Sequence, residues 1–277
     1  MLKRIIRLAI VVILTIPLPS CKKHGNPGPP ESVIETGPHI LRPVVKDINS
    51  SIGGYYSAVP PHYNSSSKKY PLLIFMHGGG QFGNGNNELE RVLAEAVPEM
   101  LDEETFPPNF NVNGENFTFV ILMPQFIKDP SNADIKSFID YSMQHYRVDP
   151  ARIYMAGFSN GGRIICDISA EYPLLFAAIV PIAGVSNSGN IKNKAKLIVD
   201  GKLPVWAFHN DNDDFVSPEG SKNFVAHINS YNPQIPAKFT LFPAFGLYGH
   251  DAWTKATDPY FKENNMNIYE WMLQYTR

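Results

Sequence analysis

Gly157-Phe158-Ser159-Asn160-Gly161-Gly162 follows the apolar run Arg152-Ile153-Tyr154-Met155-Ala156 and precedes Arg163 to Tyr172, whose apolar residues recur at helical spacing. A G-x-S-x-G between a strand and a helix is the setting in which a serine is thrown out on a strained turn as a nucleophile. Glycines two places to either side leave room where unusual backbone angles bring chain segments together. The same letters also describe a Gly-rich turn with a capping serine. Partners elsewhere in the chain decide between the two.

Three stretches supply them. Tyr70-Pro71-Leu72-Leu73-Ile74-Phe75-Met76 has the unbroken apolar character of a buried parallel strand and runs into His77-Gly78-Gly79-Gly80, the form of an oxyanion loop. Leu203-Pro204-Val205-Trp206-Ala207-Phe208 reads as a second buried strand and ends in His209-Asn210-Asp211-Asn212-Asp213-Asp214, an acidic strand end. Lys238 to Phe242 leads through a loop to Gly249-His250-Asp251-Ala252-Trp253. Serine, acid and histidine thus follow one another in a chain order that chymotrypsin and subtilisin do not share.

With these pieces assembled, the chain resembles the α/β-hydrolase superfamily. Within it, the likeness is to secreted bacterial esterases related to feruloyl esterases, polyhydroxybutyrate depolymerases and the dienelactone-hydrolase or prolyl-oligopeptidase-like group. The resemblance runs from about Tyr55 to the C-terminus and rests on PPHYNSSSKKYPLLIFMHGGG, on MPQ at Met123 to Gln125, and on VDPARIYMAGFSNGG, HNDNDDFVSP and GHDAW. The last two are similar to the esterase patterns HGxxDxxVP and GHxxW. The chain departs from the pattern at Asn210, where Gly is usual, and at Ser217, the Pro being shifted to Pro218.

The resemblance implies a three-layer α/β-hydrolase fold, a mostly parallel sheet with helices on both faces. It implies Ser159 as nucleophile, His250 as base and Asp213, four residues after His209, as acid, with Asp211 the next candidate. The oxyanion hole would combine the N–H of Asn160 with one from Gly79 or Gly80. No cofactor is implied. No metal is expected either: Asp211-Asn212-Asp213-Asp214 lacks the glycine of a calcium loop, having Val216 in its place, and no H-E-x-x-H or cysteine cluster is present.

Alternation of strand-like with helix-like segments supports a parallel sheet covered on both faces. Helical spacing appears at Glu88 to Leu101, Asp134 to Tyr146, Pro218 to Tyr231 and Asp258 to Tyr275, and further strands at Phe117 to Met123 and Ala177 to Ile182. The stretch from Ser159 to Asp213 must hold a helix, a strand and a loop from Gly184 to Lys202, which leaves no room for a large cap domain. An open cleft follows, suited to bulky esters or ester groups on polymers. Phe82, Tyr248 and Trp253 are expected to line it, since all lie at the carboxyl ends of strands. Phe126 and Phe215 could line it or sit in the core. Cys166, among Ile164, Ile165 and Ile168, reads as a small buried apolar residue.

Lys3, Arg4 and Arg7, the apolar Leu8 to Ile16, and Leu18-Pro19-Ser20-Cys21 together resemble a bacterial lipoprotein signal. Residues 1–20 would be removed, Cys21 lipidated, residues 21–51 would form a flexible tether and residues 52–277 the catalytic domain. The expected location is the cell envelope, with the lipid as sole membrane attachment. A formal net charge of −2, from 24 Lys+Arg against 26 Asp+Glu, gives no reason to expect a nucleic-acid partner. The function expected from all this is a serine carboxylic-ester hydrolase working through an acyl-enzyme on short-chain or aromatic esters of polysaccharides. A prolyl-oligopeptidase-like peptidase, a polyester depolymerase and a non-catalytic glycan-binding lipoprotein are the rivals.

Overall fold

Seven consecutive apolar residues at 70–76 have no polar face to offer water, so the strand they form must be covered on both sides. In the computed structural model, which describes residues 34–185, 190–244 and 249–277, that covering is the organising feature. The strands are β1 (Ile40–Asn49), β2 (Ile52–Val59), β3 (Tyr70–Met76), β4 (Phe110–Val112), β5 (Glu115–Phe117), β6 (Val120–Phe126), β7 (Val148–Phe158), β8 (Ala178–Ile182), β9 (Trp206–Asn210) and β10 (Lys238–Phe242). The α-helices are α1 (Ala96–Asp102), α2 (Asn132–His145), α3 (Asn160–Glu171), α4 (Ile191–Asp200), α5 (Glu219–Ser230), α6 (Trp253–Thr257) and α7 (Ile268–Leu273).

Eight strands make one sheet in the order β1-β2-β6-β3-β7-β8-β9-β10, and β4 with β5 form a small hairpin. Only β2 runs antiparallel to its neighbours; from β6 to β10 every pairing is parallel. Alternate residues of β3 feed two separate cores. Leu73 and Phe75 pack with Phe119, Phe158, Trp253 and Trp271 on the face of α1, α6 and α7. Leu72, Ile74 and Met76 pack on the other face with Phe138 of α2, Ile165 of α3, Ile198 of α4 and Phe224 of α5. The sheet is thus sandwiched between two helical layers, and truncating one fully buried aromatic such as Phe138 would cost about 3–5 kcal/mol. No helix among the described residues is long and apolar enough to cross a membrane.

Several expectations need correction. Residues 40–49, expected within the tether, are β1 at the sheet edge. The strand escapes notice because it is half-exposed throughout, carries Pro43 and shows no apolar alternation, as suits an edge. The helical spacing at 88–101 is broken into a 3₁₀ segment (Leu89–Ala94) and α1, with Glu95 extended at φ −153°, ψ 154°. Pro98 supplies the reason: it has no N–H to continue a helix from the preceding turn, so a new helix must start just ahead of it. At 258–275 only the last third is helical. Asn264 and Asn265 both adopt left-handed angles, and the helix waits for the Asn267/Glu270 capping box. Residues 191–200, expected as loop, are α4, which buries Ala195 and Ile198.

Candidate active site

β7 ends at Phe158 and α3 begins at Asn160, so Ser159 alone must turn the chain. It does so at φ 51°, ψ −119°, a strained conformation for a non-glycine residue. Two backbone bonds hold it there: Ser159 N–H donates to Ile182 O at 2.9 Å, and Ser159 O accepts from Arg163 N–H at 3.1 Å. The glycines to either side are sterically required. A Cβ on Gly157 would lie 2.4 Å from Met76 O and one on Gly161 2.2 Å from the same oxygen.

Ser159 Oγ lies 2.8 Å from His250 Nε2, and His250 Nδ1 lies 2.7 Å from Asp213 Oδ2. A carboxylate at Nδ1 places the imidazole proton there, leaving Nε2 to accept from the serine hydroxyl. The Asp213 side chain is fully buried and has its lone pairs satisfied. Its Oδ1 accepts from the N–H groups of Phe215 at 3.0 Å and Val216 at 2.9 Å. Its Oδ2 takes, besides His250, a bond from His209 Nε2 at 3.1 Å. His209 also donates from Nε2 to Val216 O at 2.9 Å and accepts at Nδ1 from Ser221 Oγ–H at 2.8 Å. Burial pushes its pKa down, so it meets Asp213 as a neutral donor. Asp211, by contrast, is exposed and lies 3.7 Å from Lys222.

Asn210 braces the histidine loop from the strand end. Its Nδ2 donates to Gly249 O and to Asp251 O, each at 2.9 Å, so one side chain grips the backbone on both sides of His250. A glycine there could make neither bond. The role of Asn210 is invisible in local sequence, because its partners lie about forty positions on.

The loop after β3, expected to supply an oxyanion hole, is fastened from the neighbouring strand. Gln125, fully buried at the end of β6, donates to Gln81 O at 3.1 Å and Glu88 O at 2.6 Å and accepts from Gly85 N–H at 2.8 Å. His77 donates from Nδ1 to Gly78 O at 2.6 Å and accepts at Nε2 from Phe126 N–H at 3.0 Å. Burial lowers its pKa to about 4, so it is a neutral strut. Asn160 stands at the start of α3, where helix N–H groups have no intrahelical acceptor and the dipole is positive. Gly79 and Asn160 line the same cleft beside Ser159.

Two recesses meet at Ser159. The larger, of about 650 Å³, is lined by Phe82, Asn160, Arg163, Gly184, Val185 and Val216 among others. The smaller, of about 300 Å³, is lined by Gly80, Gln81, Glu95, Phe158, His250 and Trp253. Phe215 borders both with its ring 5.0 Å from that of His250, and is 80% exposed. Trp253 stacks on Phe158 at 4.4 Å and meets His250 edge-on at 5.1 Å. Phe126 is fully buried against His77 and belongs to the core. Tyr248 and Cys21 lie outside the described residues. Cys166 is buried in α3, which pushes its thiol pKa up. Among the described residues, no three His, Cys, Asp or Glu side chains converge as metal ligands would.

The chain matches the prolyl oligopeptidase family over residues 114–217, a span that contains Ser159 and Asp213. It is 23% identical over 137 residues to the bifunctional acetylxylan esterase/xylanase XynS20E of Neocallimastix patriciarum, covering 50% of this chain and 17% of that one. The chain spans only 12 to 26% of the length of three of the curated relatives it matches. Among solved structures, a thermostable esterase aligns with TM-score 0.59 and 23% identity over 86% of this chain and 63% of the other. The feruloyl esterase module of Clostridium thermocellum aligns with TM-score 0.56 and 16% identity over 79% of this chain and 84% of the other. The antiparallel β2 in an otherwise parallel central sheet, the serine elbow after β7 and these alignments agree: the chain has the α/β-hydrolase fold.

Proposed function

We propose that the chain is a serine carboxylic-ester hydrolase that works through an acyl-enzyme, on short-chain or aromatic esters carried by polysaccharides. The observation behind it is the unbroken line of hydrogen bonds from Ser159 Oγ through His250 to Asp213. Ser159 Oγ attacks the ester carbonyl carbon while its proton passes to His250 Nε2. The carbonyl oxygen, now negative, is held by the N–H of Asn160 and by one from Gly79 or Gly80; each such donor contributes about 3–4 kcal/mol in the transition state. His250 then gives its proton to the departing alcohol oxygen as the C–O bond breaks. Water repeats the sequence against the acyl-enzyme, and the acid leaves with Ser159 restored. Asp213 holds the ring orientation and stabilises the imidazolium.

The similarity to an acetylxylan esterase/xylanase and to a feruloyl esterase module supports the substrate class, as do the open cleft and its aromatic border. Fluorophosphonate should label the protein on the peptide containing Ser159, and p-nitrophenyl acetate should be turned over. No label and no turnover would refute the reading. The family match over residues 114–217 favours a second reading, a peptidase using the same residues. Turnover of aminoacyl p-nitroanilides above that of the matching p-nitrophenyl esters would establish it instead. The lipoprotein reading of residues 1–21 stays a proposal alongside: Cys21→Ser should prevent lipid labelling, and wild-type protein recovered without lipid would refute it.

A further inference from the structure

The recess beside His250 contains a carboxylate to which the reaction assigns no task. Glu95 stands there in extended backbone between the 3₁₀ segment at Leu89–Ala94 and α1, half-buried at the wall of the recess. Burial, and next the Asp251 charge, raise its pKa, while a hydrogen bond from Gln81 works against the rise. That bond runs from Gln81 Nε2 to Glu95 Oε2 at 3.2 Å. Gln81 is itself 8% exposed, and its Oε1 is buried with no partner among the described residues. An amide buried with one atom unpaired costs stability, so packing does not explain it. What the amide does achieve is to orient Glu95, leaving the remaining lone pairs of the carboxylate to the recess.

On the ester-hydrolase reading, on which this inference rests, the two recesses divide the substrate. His250 Nε2 delivers a proton to the leaving oxygen, so the alcohol must stand on the His250 side, with Glu95 and Trp253. The acyl group then occupies the larger recess on the Asn160 and Arg163 side. We propose that Glu95, held by Gln81, is the specificity-determining residue for the alcohol, accepting a hydrogen bond from a free hydroxyl of a polyol such as a sugar. A carboxylate acceptor makes a stronger bond to a hydroxyl than a neutral one does, and an alcohol lacking the hydroxyl leaves it unpaired. Phe215 and Trp253 provide apolar faces for the carbon side of the same ring.

The test compares acetates that differ only in the alcohol: glyceryl monoacetate, ethyl acetate and acetylcholine, with kcat/KM measured on the full chain. Wild-type protein should prefer the glyceryl ester. Glu95→Gln keeps the shape but turns an NH₂ toward the recess once its oxygen takes the bond from Gln81, and should lower the glyceryl-to-ethyl ratio at least tenfold, mainly through KM. Gln81→Leu should lower the same ratio and serves if the first variant fails to fold. A ratio unchanged in both variants overturns the proposal. So does a wild-type preference for acetylcholine that Glu95→Gln abolishes, since that would make the recess a cation site. If no acetate is turned over and fluorophosphonate leaves Ser159 unlabelled, the ester-hydrolase reading itself has failed and this inference falls with it.

Discussion

The serine elbow and the histidine loop face each other across 2.8 Å, yet they are held by different means. The elbow is fixed by backbone: two main-chain bonds, and glycines whose Cβ atoms would strike Met76 O. The histidine loop is fixed by side chains from elsewhere, Asn210 gripping its carbonyls and Asp213, itself held by His209, gripping the ring. A backbone device shows in sequence as the glycines it requires, and replacing one of them meets a main-chain atom that cannot yield. A side-chain device is assembled from distant positions, and losing one member loosens it without unmaking it.

Breaking the elbow should therefore have the largest effect. Gly161→Ala places a methyl 2.2 Å from a carbonyl oxygen that cannot move without dragging β3. A loss of about 3 kcal/mol or more is expected, a fall in Tm on the order of 10 °C, together with loss of activity. Near-wild-type melting would show that the elbow is more pliable than its contacts imply.

Loosening the histidine loop should separate activity from stability. Asn210→Ala removes two hydrogen bonds and should lower kcat/KM about ten- to a hundredfold while Tm falls by only a few degrees. Unchanged kinetics would mean that His250 needs no brace from the strand end. Within the same comparison, Asn210→Gly, the residue usual at this place in the related pattern, should behave like Ala.

Acid should strain the buried histidines that support the fold. His77 and His39 have pKa values lowered to about 4 by burial, against 6.5 for a free histidine. Between those values the unfolded chain binds the extra protons, so stability falls as pH drops from about 6.5 toward 4, by up to about 3 kcal/mol for each group. Urea titrations at pH 7 and pH 4.5 measure this directly. His77→Gln, whose amide can both donate and accept, should reduce the difference. An equal pH dependence in that variant would remove His77 from the account.

The smallest effect belongs at the rim. Phe215 is exposed, so Phe215→Ala should change stability by less than about 0.5 kcal/mol. It should lower kcat/KM for a feruloyl ester relative to acetyl by roughly three- to tenfold if the ring stacks on the acyl group. An unchanged ratio would leave the ring without a part in acyl binding.

The elbow, the strands at 70–76 and 152–158 and the helix after the serine were legible because their causes are local: an apolar run, a glycine pair, helical spacing. Alternating strands and helices made the sandwich legible too. What escaped had distant or negative causes. β1 is an edge strand with nothing apolar to repeat, and α4 shows its buried side only as Ala195 and Ile198. Helical spacing at 88–101 was present, but Pro98 overruled it, and the break is what sets Glu95 beside the histidine. Gln125 stood inside a recognisable MPQ, yet its work of tying down three backbone groups of the loop after β3 depends on contacts that no spacing reveals. Asn210 showed only as a departure from a pattern. Its two carbonyl partners give that departure a physical use.

The central claim is that Ser159, activated by His250, performs covalent ester hydrolysis. The most direct measurement is kcat/KM for p-nitrophenyl acetate in wild-type protein and in Ser159→Ala, with matched melting curves. Removing the hydroxyl should lower the rate by about three orders of magnitude or more and leave Tm within a few degrees, or raise it slightly as the strained elbow loses a polar group. A variant that keeps its fold and more than a tenth of the wild-type rate would contradict the account.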